Sequence, residues 1–388
     1  MRTAFEIAQN LACDPAQGLR LRWQEGSLTQ TFDDLPIILV ETVTSEGFVI
    51  SSTGKGRSLA ERLVSALFEA VERRIVLEAQ PDFVASYKSL EQLAAAPDVT
   101  AFQAPGRHGY ARIEDSLEWS WARPVAGGDA ILIHRPTWRG VGLFPASTNG
   151  VAAGLSRDQA NISALLELAE RDAVLLHWYA KAAASPLDST PVECAALLDW
   201  LEDRGFRVTL LACTAGVPIP IVLAVAEATG AHAGFAHGGV VMGSAAAATY
   251  AAASSAALLE VVQAIEAACF TVSRSGSLVD FDPALSRYLL EDSRAAFSFL
   301  KRGGGQRLHP ELLDDRPLVE ALADAFMKEG MQPLTIERPT SIPVRVSEAT
   351  ATGIQRLVLS GPLPMSQRLL RLAKRTGRGI NAHPHPIA

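Results

Sequence analysis

Apolar and polar positions along this chain fall into blocks that repeat one grammar. Over residues 40–51 apolar and β-branched side chains mix as they do in a strand, and the turn-rich stretch 52–58 breaks the run. Residues 59–79 follow with helical periodicity and neither Pro nor Gly, so the first block predicts strand, loop, helix. Residues 117–121 and 130–134 read as strands, 145–156 as loop and 158–184 as helix, which is the same order again. A third helix is predicted over 254–268. Beyond Pro310 helix and strand signals mix, 303–306 (GGGQ) reads as a flexible surface loop, and the proline-containing tail 380–388 must be extended.

Comparing the predicted helices with one another adds a repeat. Residues 65–73 read SALFEAVER and residues 163–171 read SALLELAER, one frame of S-A-L-x-E-x-x-E-R. A weaker third copy at 256–264, AALLEVVQA, keeps the first Glu and has Gln for the second and Ala for the Arg. The spacing is too long for a solenoid and predicts a duplicated supersecondary unit inside one domain.

Composition narrows the class. With 388 residues, 48% hydrophobic and 20% charged, the chain resembles an ordinary soluble protein of one large or two medium domains. Its formal net charge of -7 offers no overall basic surface for nucleic acid. Cys13, Cys194, Cys213 and Cys269 form no C-x-x-C pair, so reduced thiols are expected rather than a zinc knuckle or a disulfide framework. The N-terminus lacks the apolar core of a secretory signal, which predicts a cytoplasmic protein. Residues 238–259 carry no charge, but they are Ala, Ser and Gly rather than Leu and Ile, so a close-packed interior helix is expected and no membrane span.

The chemistry sits on the repeated helices. Ser65, Glu69, Glu72 and Arg73 share one helical face, and Glu167, Glu170 and Arg171 repeat that arrangement. For one such helix a solvated face of internal ion pairs is the ordinary reading; two copies in the same frame favour a site. If the helices pack face to face, four carboxylates converge and repel unless cations sit among them. Every donor is an oxygen and no E-x-x-H pair is present, so the expected ion is magnesium, with a nucleoside triphosphate whose oxygens Arg73 and Arg171 can reach. Before the two helices lie Ser52-Thr-Gly-Lys-Gly56 and Ser147-Thr-Asn-Gly150. The first is either a tight turn with an exposed lysine or a loop presenting Lys55 or backbone N–H groups to phosphate, the second either a turn or a loop turned into the site, and the sequence leaves both readings open. There is no P-loop, Rossmann fingerprint or nucleophile elbow; His237-Gly-Gly239 reads as a turn, and His134 and His177 as core or near-surface histidines.

These residues resemble the signatures of the YcaO family. Residues 52–56 with 65–73 look like its first motif, 147–154 (STNGVAAG) with 167–172 its second, and Ala257-Leu-Leu-Glu260 with Gln263 its later A-L-x-E-x-x-Q segment. The resemblance implies the family's own mixed α/β (α+β) fold in a single catalytic domain, 1–388, with a motif core of 40–388. It implies ATP and Mg2+ as cofactors: Glu69, Glu72, Glu167 and Glu170 on the metal, and Ser65, Arg73, Arg171 and Gln263 on ATP, with Lys55 and Asn149 beside them. The implied activity is that of an ATP-dependent cyclodehydratase, forming thiazolines or oxazolines from Cys, Ser or Thr of a precursor peptide. In such enzymes a Pro-rich C-terminus reaches the active site, which points to Pro384, Pro386 and Ala388, although Ala388 stands where the last proline is usual. Other departures are Leu155, Gln159 and Ile265. The implied partners are the precursor peptide, a separate leader-peptide-binding protein and a flavin-dependent azoline dehydrogenase. Formation of a thioamide or an amidine, or a non-catalytic accessory role, are the alternatives within the same resemblance.

Overall fold

The computed structural model describes residues 19–24, 31–86, 115–135, 147–230, 234–278, 283–303, 308–312, 316–340, 342–357, 363 and 365–386, and the isolated residues 4, 6, 8, 10 and 89. In chain order the first half contains β1 (Leu19–Gln24), β2 (Ile37–Val43), β3 (Val49–Thr53), α1 (Leu59–Glu78), β4 (Phe83–Ala85), β5 (Leu117–Pro124), β6 (Ile131–His134), β7 (Val151–Gly154) and α2 (Arg157–Tyr179). The second half contains β8 (Ser185–Pro186), α3 (Ala195–Asp203), β9 (Phe206–Ala212), β10 (Ile221–Ala228), β11 (Val240–Ala246), α4 (Tyr250–Ser275), α5 (Pro283–Leu289) and α6 (Arg294–Phe297). It continues through α7 (Leu318–Lys328), β12 (Pro333–Arg338), β13 (Arg345–Ala351) and α8 (Gln367–Thr376).

The described strands form three sheets, all of their pairings antiparallel: β1-β2-β3, β4-β5-β12-β13-β7 with β6 added on β5, and β11-β10-β9-β8. Helix α1 packs on β2, β3 and β7, α2 packs on β7, β13 and β11, and α4 packs on β10 and β11. Helix α2 therefore runs between two sheets, and this burial on several sides makes Leu165, Ala169, Ala173, Leu175 and Trp178 the centre of the largest apolar core. A fully buried ion pair between Arg62 of α1 and Glu266 of α4, two hydrogen bonds of 2.8 and 2.9 Å, ties the first helix to the third. Removing one partner leaves an uncompensated buried charge, which makes such a pair a strict determinant of how the two helices dock.

The mixed α/β fold agrees with the sequence pattern, but four element boundaries do not. The single strand expected over 40–51 is a hairpin in which Val43 opposes Val49; Gly47 reverses the chain at φ 84° and Thr44 Oγ1 accepts from the Phe48 amide at 3.1 Å. The expected loop 145–156 contains β7, whose Val-Ala-Ala-Gly sequence has little strand propensity and is held by pairing with β13 across nearly two hundred residues of chain. Helix α2 stops at Tyr179 rather than 184: Lys181 turns left-handed at φ 47° and the Ala182 amide returns to the His177 carbonyl at 2.9 Å. Helix α4 is longer than the predicted 254–268 at both ends, from the Thr249 cap to left-handed Gly276.

The uncharged stretch 238–259 is only partly helical; its first half is β11. Its small residues have a direct reason. A Cβ on Gly243 would lie 2.2 Å from the Ala257 carbonyl oxygen, so strand and helix meet there backbone to backbone. Helix α4 is long and apolar enough to cross a membrane by composition alone, and it buries Ala253, Ala257, Leu258, Val261 and Ile265 in the second apolar core. The expected loop 303–306 lies outside the described residues except for Gly303.

Candidate functional site

Three helices enter the site in the same register. Ser58, Ser156 and Thr249 cap α1, α2 and α4, each side chain accepting from the backbone amide three residues on: Glu61, Gln159 and Ala252. The first repeat glutamates, Glu69, Glu167 and Glu260, stand at the same interval from those caps (58 to 69, 156 to 167, 249 to 260). The sequence repeat is thus a structural one, with three strand-loop-helix units: β3 with α1, β7 with α2 and β11 with α4.

The second repeat position links each helix to the strand of the next unit. Glu72 of α1 accepts from the Ala153 amide of β7 at 2.6 Å, and Glu170 of α2 accepts from Ser244 Oγ of β11 at 2.6 Å. Gln263 of α4 closes the cycle by donating Nε2 to the carbonyl and hydroxyl oxygens of Thr53 on β3, both at 2.9 Å. A carboxylate cannot donate to a carbonyl, so the third copy needs the amide where the first two carry acids.

The acids form one electrostatic group. Burial pushes the Glu72 carboxyl up to about 8, with Glu167 and Glu69 adding repulsion, and pushes Glu167 up to about 7, with Glu260 adding to it. Burial also raises Glu69 and Glu170. Glu260 goes the other way despite its burial, because Lys55 and Arg171 hold it ionised; Lys55 Nζ stands 2.7 Å from it. Ser244 spans two carboxylates, with its hydroxyl on Glu170 and its amide on Glu260 Oε2 at 3.1 Å. Arg73 pairs with Glu69 at 2.5 Å and with the Ser51 carbonyl at 2.8 Å, and the Lys55 amide donates to Ser65 Oγ at 3.4 Å. Arg171 is different. It lies between Glu167 and Glu170 at 4.0 and 3.8 Å, yet its Nε and Nη1 are buried without a hydrogen-bond partner.

These observations fit magnesium with a polyphosphate. Five carboxyl groups (Glu69, Glu72, Glu167, Glu170, Glu260) face three cations (Lys55, Arg73, Arg171) in a desolvated volume, so ionising all five calls for further positive charge. Among the described residues no three carboxylate, His or Cys groups stand close enough to cage one ion. Magnesium does not require such a cage, since it binds through a few carboxylates and takes its remaining ligands from water and substrate phosphates. The unpartnered Arg171 N–H groups are suited to those phosphate oxygens.

The other expected residues divide. Asn149 has its Oδ1 buried without a partner, but it lines a small cavity with Arg135, Ser147, Glu348 and Arg356 whose walls include none of the carboxylates above. Pro384 and Pro386 belong to a tail that docks further along α2: Trp178 Nε1 donates to the His383 carbonyl at 2.9 Å, Tyr288 donates to the Pro384 carbonyl at 2.5 Å, and His385 stacks edge-on against Tyr179. Ala388 lies outside the described residues. The departures Gln159 and Ile265 serve the scaffold, since Gln159 Oε1 accepts from the Leu155 amide at 3.0 Å and Ile265 is core. His134 and His177 are buried and hydrogen-bonded, and His237-Gly-Gly239 is a turn. Sequence reasoning missed Glu260 and Ser244 as members of the cluster. The third repeat copy, with its Glu retained, was the available signal for Glu260; Ser244 left none.

Comparison with known proteins adds the following. A family model described as YcaO cyclodehydratase, ATP- and Mg2+-binding, matches residues 53–354. An uncharacterized protein of Methanothermobacter thermautotrophicus is 27% identical over 204 residues, 49% of this chain and 51% of that one. An uncharacterized protein encoded in the tfuA 3' region of Rhizobium leguminosarum bv. trifolii is 31% identical over 195 residues, 44% of each chain. The matches therefore span about half the length of these curated relatives. Among solved structures, a heterocyclase in complex with substrate and cofactor superposes with a TM-score of 0.76 at 17% identity, covering 99% of this chain and 57% of that one. The structure of YcaO from Methanopyrus kandleri bound with AMPPCP and Mg2+ gives 0.67 at 20% identity, covering 94% and 96%. The E. coli microcin synthetase McbBCD complex gives 0.66 at 14%, covering 95% and 96%.

Proposed function

The chain belongs to the YcaO family, and we propose that it is the family's ATP- and magnesium-dependent cyclodehydratase, closing Cys, Ser or Thr side chains of a peptide onto the preceding amide to give azolines. The observation that carries this reading is the grouping of Glu69, Glu72, Glu167, Glu170 and Glu260 about Arg171, which pairs with Glu167 and Glu170 only at 4.0 and 3.8 Å and keeps Nε and Nη1 without a hydrogen bond.

In this reading Glu69, Glu72, Glu167 and Glu170 hold magnesium, which when bound neutralises charge building on a transferred phosphoryl group. Arg171 and Lys55 donate to the phosphate oxygens of ATP, and Ser65 and Arg73 line the approach. Gln263 keeps Thr53 and the loop bearing Lys55 in register with α4. Asn149, whose buried Oδ1 has no hydrogen-bond partner, is taken as a further contact to ATP. Glu260 holds the Lys55 ammonium charged and in place. The reaction joins the side-chain sulfur or oxygen of the substrate to the amide carbon, and the amide oxygen leaves as phosphate while ATP becomes ADP. ATP is required because an amide oxygen does not leave on its own.

The site draws on all three sheets, which supports treating 1–388 as a single catalytic domain. The tail with Pro384, Pro386 and Ala388 is proposed to border the substrate rather than to touch ATP. We take the precursor peptide, a separate leader-binding protein and a flavin-dependent azoline dehydrogenase as partners, and the cytoplasm as the location.

The test is the intact mass of a candidate precursor peptide incubated with this protein, its partner protein, ATP and Mg2+. Loss of one water mass per modified residue, coupled to ADP release and abolished by Glu69→Gln, is the expected result. Exchange of an oxygen for a sulfur when sulfide is supplied would replace cyclodehydration by thioamide formation. No ATP turnover with any peptide would leave an accessory subunit.

A further inference from the structure

Where α8 packs against the C-terminal end of α2, the surface holds an open cleft of about 610 Å³ that the proposed chemistry does not use. Three arginines of α8 line it: Arg368, Arg371 and Arg375. Arg368 is already engaged, its Nη1 bonding both oxygens of the fully buried Asp172 of α2 at 2.9 and 2.7 Å. That contact fixes α8 on α2 one position from Arg171. Arg371 and Arg375 are exposed, one helical turn apart, and make no ion pair or hydrogen bond among the described residues.

The rest of the wall contributes little negative charge. Among the described residues Glu329 is the one carboxylate lining it, 3.8 Å from Arg368 Nη2. His177 is neutral by geometry: its Nε2 faces two donors, the Thr214 and Ala215 amides at 3.0 and 3.1 Å, so Nδ1 must carry the proton that reaches the Ala182 carbonyl. His309 presents an enclosed Nε2 without a partner. Its described lining residues offer cationic groups rather than a group of carboxylates for magnesium, which suits an anionic side chain better than a metal-bound nucleoside triphosphate. Its volume is that of a site for a few residues of extended chain, far more than a phosphate ion fills.

Resting on the reading of this protein as a peptide modifier, we propose that this pocket binds acidic side chains of the substrate peptide, with Arg371 and Arg375 as the residues that select them. The distance gives a register. His177 follows Glu170 by seven positions on α2, about 10 Å along the helix axis. An extended peptide advances about 3.3 Å per residue, which puts the selected Asp or Glu about three residues from the residue being modified. Two arginines one turn apart suit two acids or one acid with some freedom of placement.

The experiment uses two synthetic peptides identical except that residues three and four positions from a single Cys are both Glu or both Gln. Binding to the full chain is measured by titration calorimetry, for the native protein and for Arg371→Gln/Arg375→Gln, with inorganic phosphate as competitor. The Glu peptide is expected to bind about tenfold more tightly, an advantage that shrinks with added salt and disappears in the double variant. Equal binding of the two peptides to the native protein overturns the proposal and needs no variant. So does an advantage that survives loss of both arginines. Saturable phosphate binding that depends on these arginines, without discrimination between the peptides, overturns it in favour of a free-anion site. The mass assay separates the two claims: water loss from both peptides together with equal binding of the two sinks the pocket and leaves cyclodehydration, whereas discrimination in binding without ATP-dependent mass change leaves the pocket and sinks cyclodehydration.

Discussion

Gln263 donates its side-chain amide to both oxygens of Thr53 and so joins the last repeated helix to the first repeated strand. Glu72 and Glu170 make the equivalent contacts to β7 and β11. The site is therefore closed by a ring of three helix-to-strand bonds, of which this one is made by an amide because its partner is a carbonyl.

Gln263→Glu sets a carboxylate against that carbonyl and adds another carboxyl to the group. The variant is expected to unfold more easily by about 1 kcal/mol in chemical denaturation, the worth of the hydrogen bonds lost between these partly buried groups. A stability equal to the native protein would mean that the Thr53 contact does not close the ring.

Ligand binding makes the second case. Saturating ATP with Mg2+ is expected to stabilise the native protein, by about 2.7 kcal/mol at a ligand concentration a hundredfold above Kd. Glu170→Gln keeps an oxygen that can accept from Ser244 but loses a charge, so it should fold at least as well as the native chain without ligand and lose most of that shift. The same shift in both proteins would place the metal elsewhere.

Gly243→Ala tests the backbone contact of β11 with α4. Its Cβ would meet the Ala257 carbonyl oxygen at 2.2 Å, and neither strand nor helix backbone can move away alone. A loss of about 3 kcal/mol or more is expected, or failure to fold. Gly353→Ala is the contrast: nothing lies near its Cβ, and only its left-handed backbone, at φ 70°, resists the change.

Burial lowers the His177 imidazole to about 4 from its ordinary 6.5. In the unfolded chain it takes up a proton as pH falls below 6.5, while the folded protein keeps it neutral down to about 4. Its contribution is therefore fully present above 6.5 and is lost as pH falls to 4, on the order of 3 kcal/mol. His177→Gln, which still offers an oxygen to the Thr214 and Ala215 amides, should flatten the stability profile over that range. An unchanged slope would mean that other groups govern acid unfolding.

What depends on local spacing was legible from the chain alone. Helical periodicity located α1, α2 and α4, and the repeated E-x-x-E frame put Glu69, Glu72, Glu167 and Glu170 on faces that could meet, because residues three or four apart share a helix face whatever surrounds them. Oxygen-only donors were enough to name the ion. What depends on contacts between distant segments emerged with the folded arrangement. Pairing with β13 makes a strand of Val151–Gly154, and close approach to α4 requires glycine at 243. Glu260 and Ser244 join the carboxylates through a fold that brings the third unit against the first two, and Asn149 lines a small cavity beside Arg135 and Glu348. The arginines of α8 face a pocket because a buried Asp172 holds that helix in place. These contacts join residues from tens to nearly two hundred positions apart, and no local pattern of polar and apolar residues encodes which distant partner each will meet.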